Sequence, residues 1–314
     1  MGSTGIGTGQ DTGTPRPDTG THGPDGERPG PERAGPMVAR LLLGGRLRQL
    51  RERSLVSRRD AGEAIRASES KISRLELGRS GFKRRDVDDL LTLYGLDDGA
   101  ERSTLLALAG HANVPGWWQE YEDVVPAWFE DYLGLEQAAS VIRGYEMLYL
   151  PGLLQTPAYA HALLAAGANG ATRLETMRRA QLRMRRQQVI YRRGPARLWV
   201  VIDEAALHRS VGGTAVMCAQ LRHLVNVARL PHVRIQVLPF RDGAYTGGGI
   251  PLTMLRFAEA ELPDVVYLEN HTGAEYPSRP VDLGQYWAIL NHLAEQALTP
   301  DDTIAMLQRI LAET

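Results

Sequence analysis

The segment from Ser57 to Arg79, SRRDAGEAIRASESKISRLELGR, contains the residue types and spacing that are most informative about chemistry. Ser57 is a good N-cap for a short helix, and Ser68 is a good N-cap for a second helix beginning at Glu69, because a serine hydroxyl accepts from the free N–H groups of a first helical turn. Each helix has an apolar side that packs against the other. The apolar residues that recur at three- or four-residue spacing are Ala61, Ile65, Ile72 and Leu75.

The polar residues of the second helix are left on its outer and N-terminal faces. That is the layout of a recognition helix, whose front residues reach base edges in the major groove of DNA. Lys71 and Arg74 are candidates for guanine O6 and N7, and the two serines suit either a base or a phosphate. The predicted base contacts are Glu69, Ser70, Lys71, Ser73 and Arg74.

Basic charge is concentrated around this motif. Residues 40–85 hold fourteen Lys or Arg against five Asp or Glu, whereas the whole chain of 314 residues has a net charge of −1. Neutralising DNA phosphates requires such a patch, although two short amphipathic helices with a solvated basic face also occur in proteins that do not bind DNA. The predicted phosphate contacts are Ser57, Arg58, Arg59, Arg79, Lys83, Arg84 and Arg85.

Apolar clusters at helical spacing surround the motif and predict an N-terminal helical domain over residues 37–112. The five expected helices lie near 39–53, 58–65, 69–77, 84–94 and 100–111.

Residues 1–36 hold ten Gly and six Pro and are expected to be disordered. An alternative is that translation starts at Met37, in which case residues 1–36 are not part of the protein.

The region after the helical domain is expected to be a structured, aromatic-rich connector (113–134) followed by a mixed α/β domain (135–314). Its helices are expected at 135–148, 157–167, 172–192, 214–229, 281–298 and 300–312, and its strands at 197–203, 233–240, 252–257 and 265–270. The predicted fold class is therefore multidomain, with an all-α N-terminal domain and a mixed α/β (α+β) C-terminal domain.

The run GRLRQLRERSLVSRRDAGEAIRASESKISRLELGR resembles the Xre-type, lambda-repressor-like helix-turn-helix, and residues 70–76 reproduce its SKISRLE-like run. The segments GWWQEYEDVVPAWFEDYLGLEQAAS, YEMLYLPGLLQT, RLWVVIDEAALHRSVGG and VRIQVLPFRDGAYTGGG resemble the large C-terminal domain of actinobacterial Xre regulators, including WhiJ-like and antitoxin-like proteins. The resemblance implies a transcriptional regulator that binds double-stranded DNA and works with small partner proteins.

Two residues depart from the pattern of that family. Arg58 stands where Gln is usual, which exchanges an amide anchor for a charged phosphate clamp. Arg66 stands where the turn usually has Gly, so Arg66 must adopt a positive φ at a cost of about 1 kcal/mol, or the turn must change. Because one recognition helix makes few base contacts, a homodimer reading two half-sites is expected.

Two groups of side chains in the C-terminal half are candidates for ligand or partner binding. An aromatic group is a candidate pocket for a small molecule or peptide, with an interdomain core as the alternative; its members are Trp117, Trp118, Trp128, Tyr132 and Tyr145. The stretch 173–193 holds eight Arg against one acid and suits DNA phosphates or an acidic partner, with a solvated helical face as the alternative. Asp203, Glu204 and Glu269 follow predicted strands, and a structural role at helix or turn ends is favoured for them.

Catalytic and cofactor-binding motifs are missing from the sequence. It contains no HExxH, P-loop, GxSxG or strand-linked GxGxxG pattern, so we expect no enzyme activity, no cofactor and no metal. The single cysteine, Cys218, and the lack of a long apolar run favour a cytoplasmic protein that does not enter membranes.

Two functions are consistent with these features. The first is a sequence-specific DNA-binding regulator whose C-terminal domain senses a ligand or partner. The alternative is a ligand-binding or enzymatic C-terminal domain that uses the helix-turn-helix for targeting or autoregulation.

Overall fold

The computed structural model describes residues 35–167, 170–243, 249–270, 272–277 and 279–314. The sequence predicts disorder for residues 1–36, and residues 1–34 of this segment lie outside the described residues.

The N-terminal region consists of five helices, as the sequence predicts. Their bounds are α1 Pro36–Arg53, α2 Arg58–Ala64, α3 Glu69–Glu76, α4 Arg84–Leu93 and α5 Gly99–His111. The apolar residues at helical spacing form one core, in which Leu43, Leu47, Ile72 and Leu91 have almost no exposed surface. Serine and aspartate side chains cap α2, α3 and α5, which explains why these helix starts are readable from the sequence.

The C-terminal region interleaves helices with a sheet. The helices are α6 Ala127–Ala138, α7 Pro157–Ala166, α8 Arg173–Arg186, α9 Gln188–Tyr191, α10 Glu204–His208, α11 Thr214–Val227, α12 Pro280–Gln296 and α13 Pro300–Glu313. Short 3-10 helices span Trp117–Tyr121, Gly152–Leu154 and Phe240–Asp242. The strands are β1 Val141–Glu146, β2 Arg197–Asp203, β3 Val233–Leu238, β4 Leu252–Arg256, β5 Val265–Asn270 and β6 Gly273–Glu275.

The six strands form one mixed sheet in the order β3-β2-β1-β4-β5-β6. β1, β2 and β3 are parallel neighbours, whereas β4 is antiparallel to both β1 and β5, and β6 is antiparallel to β5. β5 therefore runs in the same direction as β1, and the carboxyl ends of both strands lie at the same edge of the sheet. The predicted fold class, a helical domain followed by a mixed α/β domain, is confirmed.

One predicted helix of the C-terminal domain is wrong. Residues 135–148 are not a single helix, because α6 ends at Ala138 and residues 141–146 form the strand β1. β1 pairs with β2 on one side and with β4 on the other. Its apolar residues at 142 and 145 suit a helix as well as a strand, and the pairing with two neighbours decides in favour of the strand. The expected helix 172–192 is divided into α8 and α9, and β6 is not predicted at all.

Helices cover both faces of the sheet. α12 packs on one face through Leu290, Leu293 and Ala294. The other face carries the larger core, to which α6, α7, α11 and α13 contribute. Met37 and Val38 at the start of α1 are buried in this larger core, so the first helix of the N-terminal region is also packed against the C-terminal domain.

Candidate DNA-binding surface and C-terminal cavity

The turn between α2 and α3 has the close geometry of a helix-turn-helix. The Ser57 and Ser68 side chains accept hydrogen bonds from the N–H groups of Asp60 and Lys71, at 3.1 and 3.2 Å. Gly62 allows the crossing, since a Cβ at this position would lie 2.6 Å from the Ala67 carbonyl oxygen. Arg66 adopts a φ of 54°, so of the two alternatives for this turn the structure has the positive φ at Arg66.

The packing of α2 against α3 directs the polar side of α3 to the surface. Ala61, Ile72 and Leu75 are 0%, 1% and 2% exposed, which fixes the orientation of both helices. The residues predicted to contact bases lie outside this core: Glu69, Ser70 and Arg74 are exposed, and Lys71 and Ser73 are half-buried.

Lys71 differs from the other predicted base contacts because its ammonium donates a hydrogen bond to the Ser80 hydroxyl. Burial lowers the pKa of Lys71, and the nearby Arg74 charge lowers it further. Arg74 makes no hydrogen bond or ion pair with another residue that the structure describes, so its guanidinium is the most accessible cation of the recognition helix.

A buried ion cluster anchors the end of the recognition helix. The Glu76 carboxylate, 6% exposed, accepts hydrogen bonds from Arg51 Nη2 of α1 at 3.2 Å and from Arg58 Nε of α2 at 3.1 Å. Arg58 therefore helps to hold the first three helices together, and its Nε is used inside the protein. The sequence predicts that Arg58 contacts a DNA phosphate, and it gives no sign that Arg58 and Arg51 share the Glu76 carboxylate.

The other predicted phosphate contacts fall into two groups. Arg59, Lys83, Arg84 and Arg85 are exposed and border the helix-turn-helix, with Arg59 and Arg85 also paired to acids one helical turn away. Ser57 acts as the cap of α2.

Arg79 behaves differently, because it contacts the C-terminal domain. Its Nη2 donates to the Tyr276 carbonyl oxygen at 3.3 Å, and its guanidinium lies 4.7 Å from the centre of the Tyr276 ring. This contact joins residues 197 positions apart, which is why local sequence patterns give no sign of it. Arg79 is thus a link between the helix-turn-helix and β6.

The predicted aromatic pocket is wrong as a single site. Trp118 is buried against Val125, Leu133 and Leu182, with Trp117 packed beside this cluster. Tyr145 is fully buried on the face of the sheet that α12 covers. Trp128 and Tyr132 line two different cavities, so the five residues do not line one common pocket, although Trp117 and Trp118 contact each other.

The Arg-rich stretch 173–193 is not a uniformly solvated face. Arg186 forms a two-bonded ion pair with the buried Glu136, at 2.9 and 2.8 Å. Arg183 donates to the Gln155 side chain at 2.9 Å, and burial together with Arg186 lowers the pKa of Arg183 to about 10. These two arginines face the interior, because α8 packs against α7 and the connector.

Arg183 and Arg186 lie in the shared wall of two neighbouring cavities of about 470 and 590 Å³. Glu269 of β5 also lines both cavities, and Glu146 of β1 lines the larger one. Burial and the neighbouring Glu269 carboxylate raise the pKa of Glu146 to about 7. The larger cavity combines acidic, basic and aromatic walls, as small-molecule sites commonly do.

A row of tyrosines connects the larger cavity with Arg79. Tyr267 donates to the Glu269 carboxylate at 2.8 Å, and its ring centre lies 4.0 Å from that of Tyr132 in the cavity wall. On its other side, the ring centre of Tyr267 is 5.5 Å from that of Tyr276. The Arg79 guanidinium packs against the Tyr276 ring. Direct contacts therefore run from the cavity to the residue that follows the recognition helix.

The two acidic residues at the end of β2 have structural roles. Asp203 caps α10 by accepting from the Ala205 N–H, and Glu204 accepts from the Phe240 N–H. Within the described residues, no three His, Cys, Asp or Glu side chains are grouped so as to hold a metal ion. No helix among the described residues is long and apolar enough to cross a membrane.

The two structural regions coincide with two protein families. Residues 42–105 match the model of a helix-turn-helix domain, so the fold and the motif define a helix-turn-helix protein. Residues 129–309 match the model described as a domain of unknown function, DUF5753. This match covers more than half of the chain, and the protein belongs to the DUF5753 family. No curated protein and no solved structure matches the chain.

Proposed function

We propose that the protein is a sequence-specific transcriptional regulator of the Xre type that binds double-stranded DNA through α3. The observation that carries this proposal is the exposed front of α3, where Glu69, Ser70 and Arg74 project from a helix pair locked by its apolar side and by the Glu76 ion cluster. A recognition helix requires this combination of a fixed inner face and unpaired polar groups in front.

Arg74 is the residue to which we assign base recognition, and the exposed cations at 83–85 are assigned to the phosphates. Lys71 is assigned to bases as well, which requires exchange of its Ser80 hydrogen bond for one to DNA. Because a single α3 covers few base pairs, the regulator acts as a homodimer on half-sites about 34 Å apart.

The C-terminal domain is proposed to sense a ligand and to report it to the DNA-binding domain. The contacts from Glu269 through Tyr267 and Tyr276 to Arg79 support this role, because a ligand beside Glu269 acts on side chains that touch the helix-turn-helix. Such coupling requires that the ligand bind two arrangements of these contacts with different affinity.

Further parts of the proposal rest on the sequence alone. The similarity to actinobacterial Xre regulators supports an antitoxin-like circuit with a small partner protein and a cytoplasmic location. The missing catalytic motifs support a role without enzyme activity.

The test is selection of binding sites from a random DNA pool, followed by affinity measurements on the selected and a scrambled site at two salt concentrations. Arg74→Ala is expected to weaken the selected site by about 1–3 kcal/mol and to relax base preference there. Arg84→Ala is the matched control: it should weaken both DNAs about equally and reduce the salt dependence. Failure to enrich any sequence, or identical behaviour of both variants, contradicts the assignment of α3 as the recognition helix.

A further inference from the structure

The larger cavity lies at the edge of the sheet where β1 and β5 end. Glu146 is the last residue of β1, and Glu269 precedes the last residue of β5. Ligands of open sheets with parallel strands bind beyond the carboxyl ends of the strands. The volume of about 590 Å³ falls within the range of small-molecule sites.

The acidic wall of this cavity is complementary to a cation. Glu146 and Glu269 line it together, and in the described part of the chain neither carboxylate has an ion-pair partner within 4 Å. Glu269 accepts a hydrogen bond from the Tyr267 hydroxyl. The half-buried Glu146 carboxylate and the exposed Glu269 carboxylate face one space and repel each other, and a protonated amine between them removes that repulsion.

The basic wall is complementary to an anion. Arg186 is already used by Glu136, with two hydrogen bonds. Arg183 donates only to the neutral Gln155 side chain, and no carboxylate of the described residues lies within 4 Å of it. A guanidinium has five N–H donors in a planar fork that fits a carboxylate. Arg183 therefore offers a site for a ligand carboxylate.

The remaining walls suit an apolar ligand body, since Leu148, Leu150, Leu163 and Leu252 line the same space. We propose that the cavity binds an α-amino acid with an apolar side chain, either free or as a short peptide. Its protonated amine lies between Glu146 and Glu269, and its carboxylate pairs with Arg183. An amine without a carboxylate leaves Arg183 unmatched, and a carboxylate without an amine leaves both glutamates unmatched. This inference names the ligand of the sensing site and rests on the proposed function for its regulatory meaning.

The test is calorimetric titration of the full chain, without DNA, with each common L-amino acid and with dipeptides of the apolar ones. The two sets of probes distinguish a free amino acid from a peptide. The best ligand is then compared with its N-acetyl and carboxamide forms. We expect each capped form to bind at least about tenfold more weakly, because each cap leaves a half-buried charge unpaired.

Three variants connect the binding to the named residues. Glu146→Gln is expected to weaken the parent ligand about tenfold or more, while the N-acetyl form, which has no amine charge, is affected much less. Arg183→Gln should likewise weaken the parent ligand about tenfold or more, while the carboxamide form, which has no carboxylate charge, is affected much less. Arg185→Gln, on the exposed face of the same helix, is the control and should bind like the unchanged protein.

Two results overturn the inference. One is that no amino acid or dipeptide binds. The other is that the capped ligands bind as tightly as the parent ligand, or that the Glu146→Gln variant binds the parent ligand as tightly as the unchanged protein does. If the chain still selects a DNA sequence in either case, the ligand class is wrong and the DNA-binding function stands. If an amino acid binds but no DNA sequence is selected, the cavity assignment holds and the proposed DNA-binding function fails.

Discussion

The guanidinium of Arg79 lies 4.7 Å from the ring centre of Tyr276, and Arg79 also donates a hydrogen bond to the Tyr276 carbonyl oxygen. Arg79 lies three residues after the end of α3, and Tyr276 directly follows β6. The contact thus fixes the end of the helix-turn-helix against the sheet of the C-terminal domain. It also uses a cation that the sequence pattern assigns to DNA phosphates.

A double-mutant cycle on Arg79 and Tyr276 measures this contact. Arg79→Ala and Tyr276→Ala are each expected to lower stability, and their effects in combination should be less than additive by about 1 kcal/mol. The readout is urea unfolding of the full chain. The control pair is Arg84→Ala with Tyr276→Ala, which do not contact each other and should be additive. Additivity for Arg79 and Tyr276 as well contradicts an interaction between the guanidinium and the ring, which is the part of the contact that Tyr276→Ala removes.

The Glu76 ion cluster gives a second prediction, about stability. Glu76→Gln should lower the free energy of unfolding by about 3 kcal/mol, because it removes the buried charge that Arg51 and Arg58 share. The matched control is Glu63→Gln, since Glu63 is an exposed partner of Arg59; its effect should stay within about 1 kcal/mol. Equal effects of the two substitutions, measured by chemical denaturation, are incompatible with a structural role for the cluster.

The N-terminal domain was predictable because its signals are local. Serine caps and apolar residues three or four positions apart determine where α2 and α3 begin and which sides meet. The same patterns placed the exposed face of α3 correctly, although not the Ser80 hydrogen bond of Lys71 or the Glu76 partner of Arg58. Those partners depend on how the ends of helices meet in space.

The cavity was not predictable because it assembles distant segments. β1 reads as part of a helix until its pairing with β2 and β4 is known, and this error hid Glu146 at a strand end. Arg183 and Arg186 were visible only as members of a basic stretch, whose inward side is set by packing against Glu136 and Gln155. Composition alone does not distinguish inward from outward arginines on one helix.

The turn of the helix-turn-helix provides a third prediction. Arg66 has a φ of 54° and an exposed side chain, so it carries the cost of the left-handed region without compensating packing. Arg66→Gly should raise stability by up to about 1 kcal/mol, offset in part by the larger conformational entropy of glycine in the unfolded chain. Glu63→Gly, in the preceding helix, is the control and should lower stability by about 1 kcal/mol. A loss of stability in thermal unfolding of Arg66→Gly means that strain at this residue is negligible.

The carboxyl group of Glu146 gives a fourth prediction, about pH. Burial, followed by the Glu269 charge, raises the pKa of Glu146 from 4.5 to about 7 in the folded chain. The folded state therefore keeps a proton that the unfolded state loses, and this group makes stability fall as the pH rises from about 4.5 to about 7, with no further change above. The charged and titratable groups that line the cavity with it are Glu269, Arg183, Arg186, Tyr132, Tyr149 and Tyr267.

Glu146→Gln removes the titrating group, so unfolding measured across this pH range should show a smaller loss of stability than in the unchanged protein. Above pH 7 the variant should be the more stable of the two, because the repulsion between Glu146 and Glu269 is gone. The exposed Glu261 provides the control, and Glu261→Gln should follow the unchanged protein at every pH. A Glu146→Gln variant with the original pH dependence means that folding does not raise the pKa of Glu146. A variant with lower stability above pH 7 means that the charged form of Glu146 is held by a partner in the folded state. A partner of that kind is incompatible with an open acidic wall in the cavity.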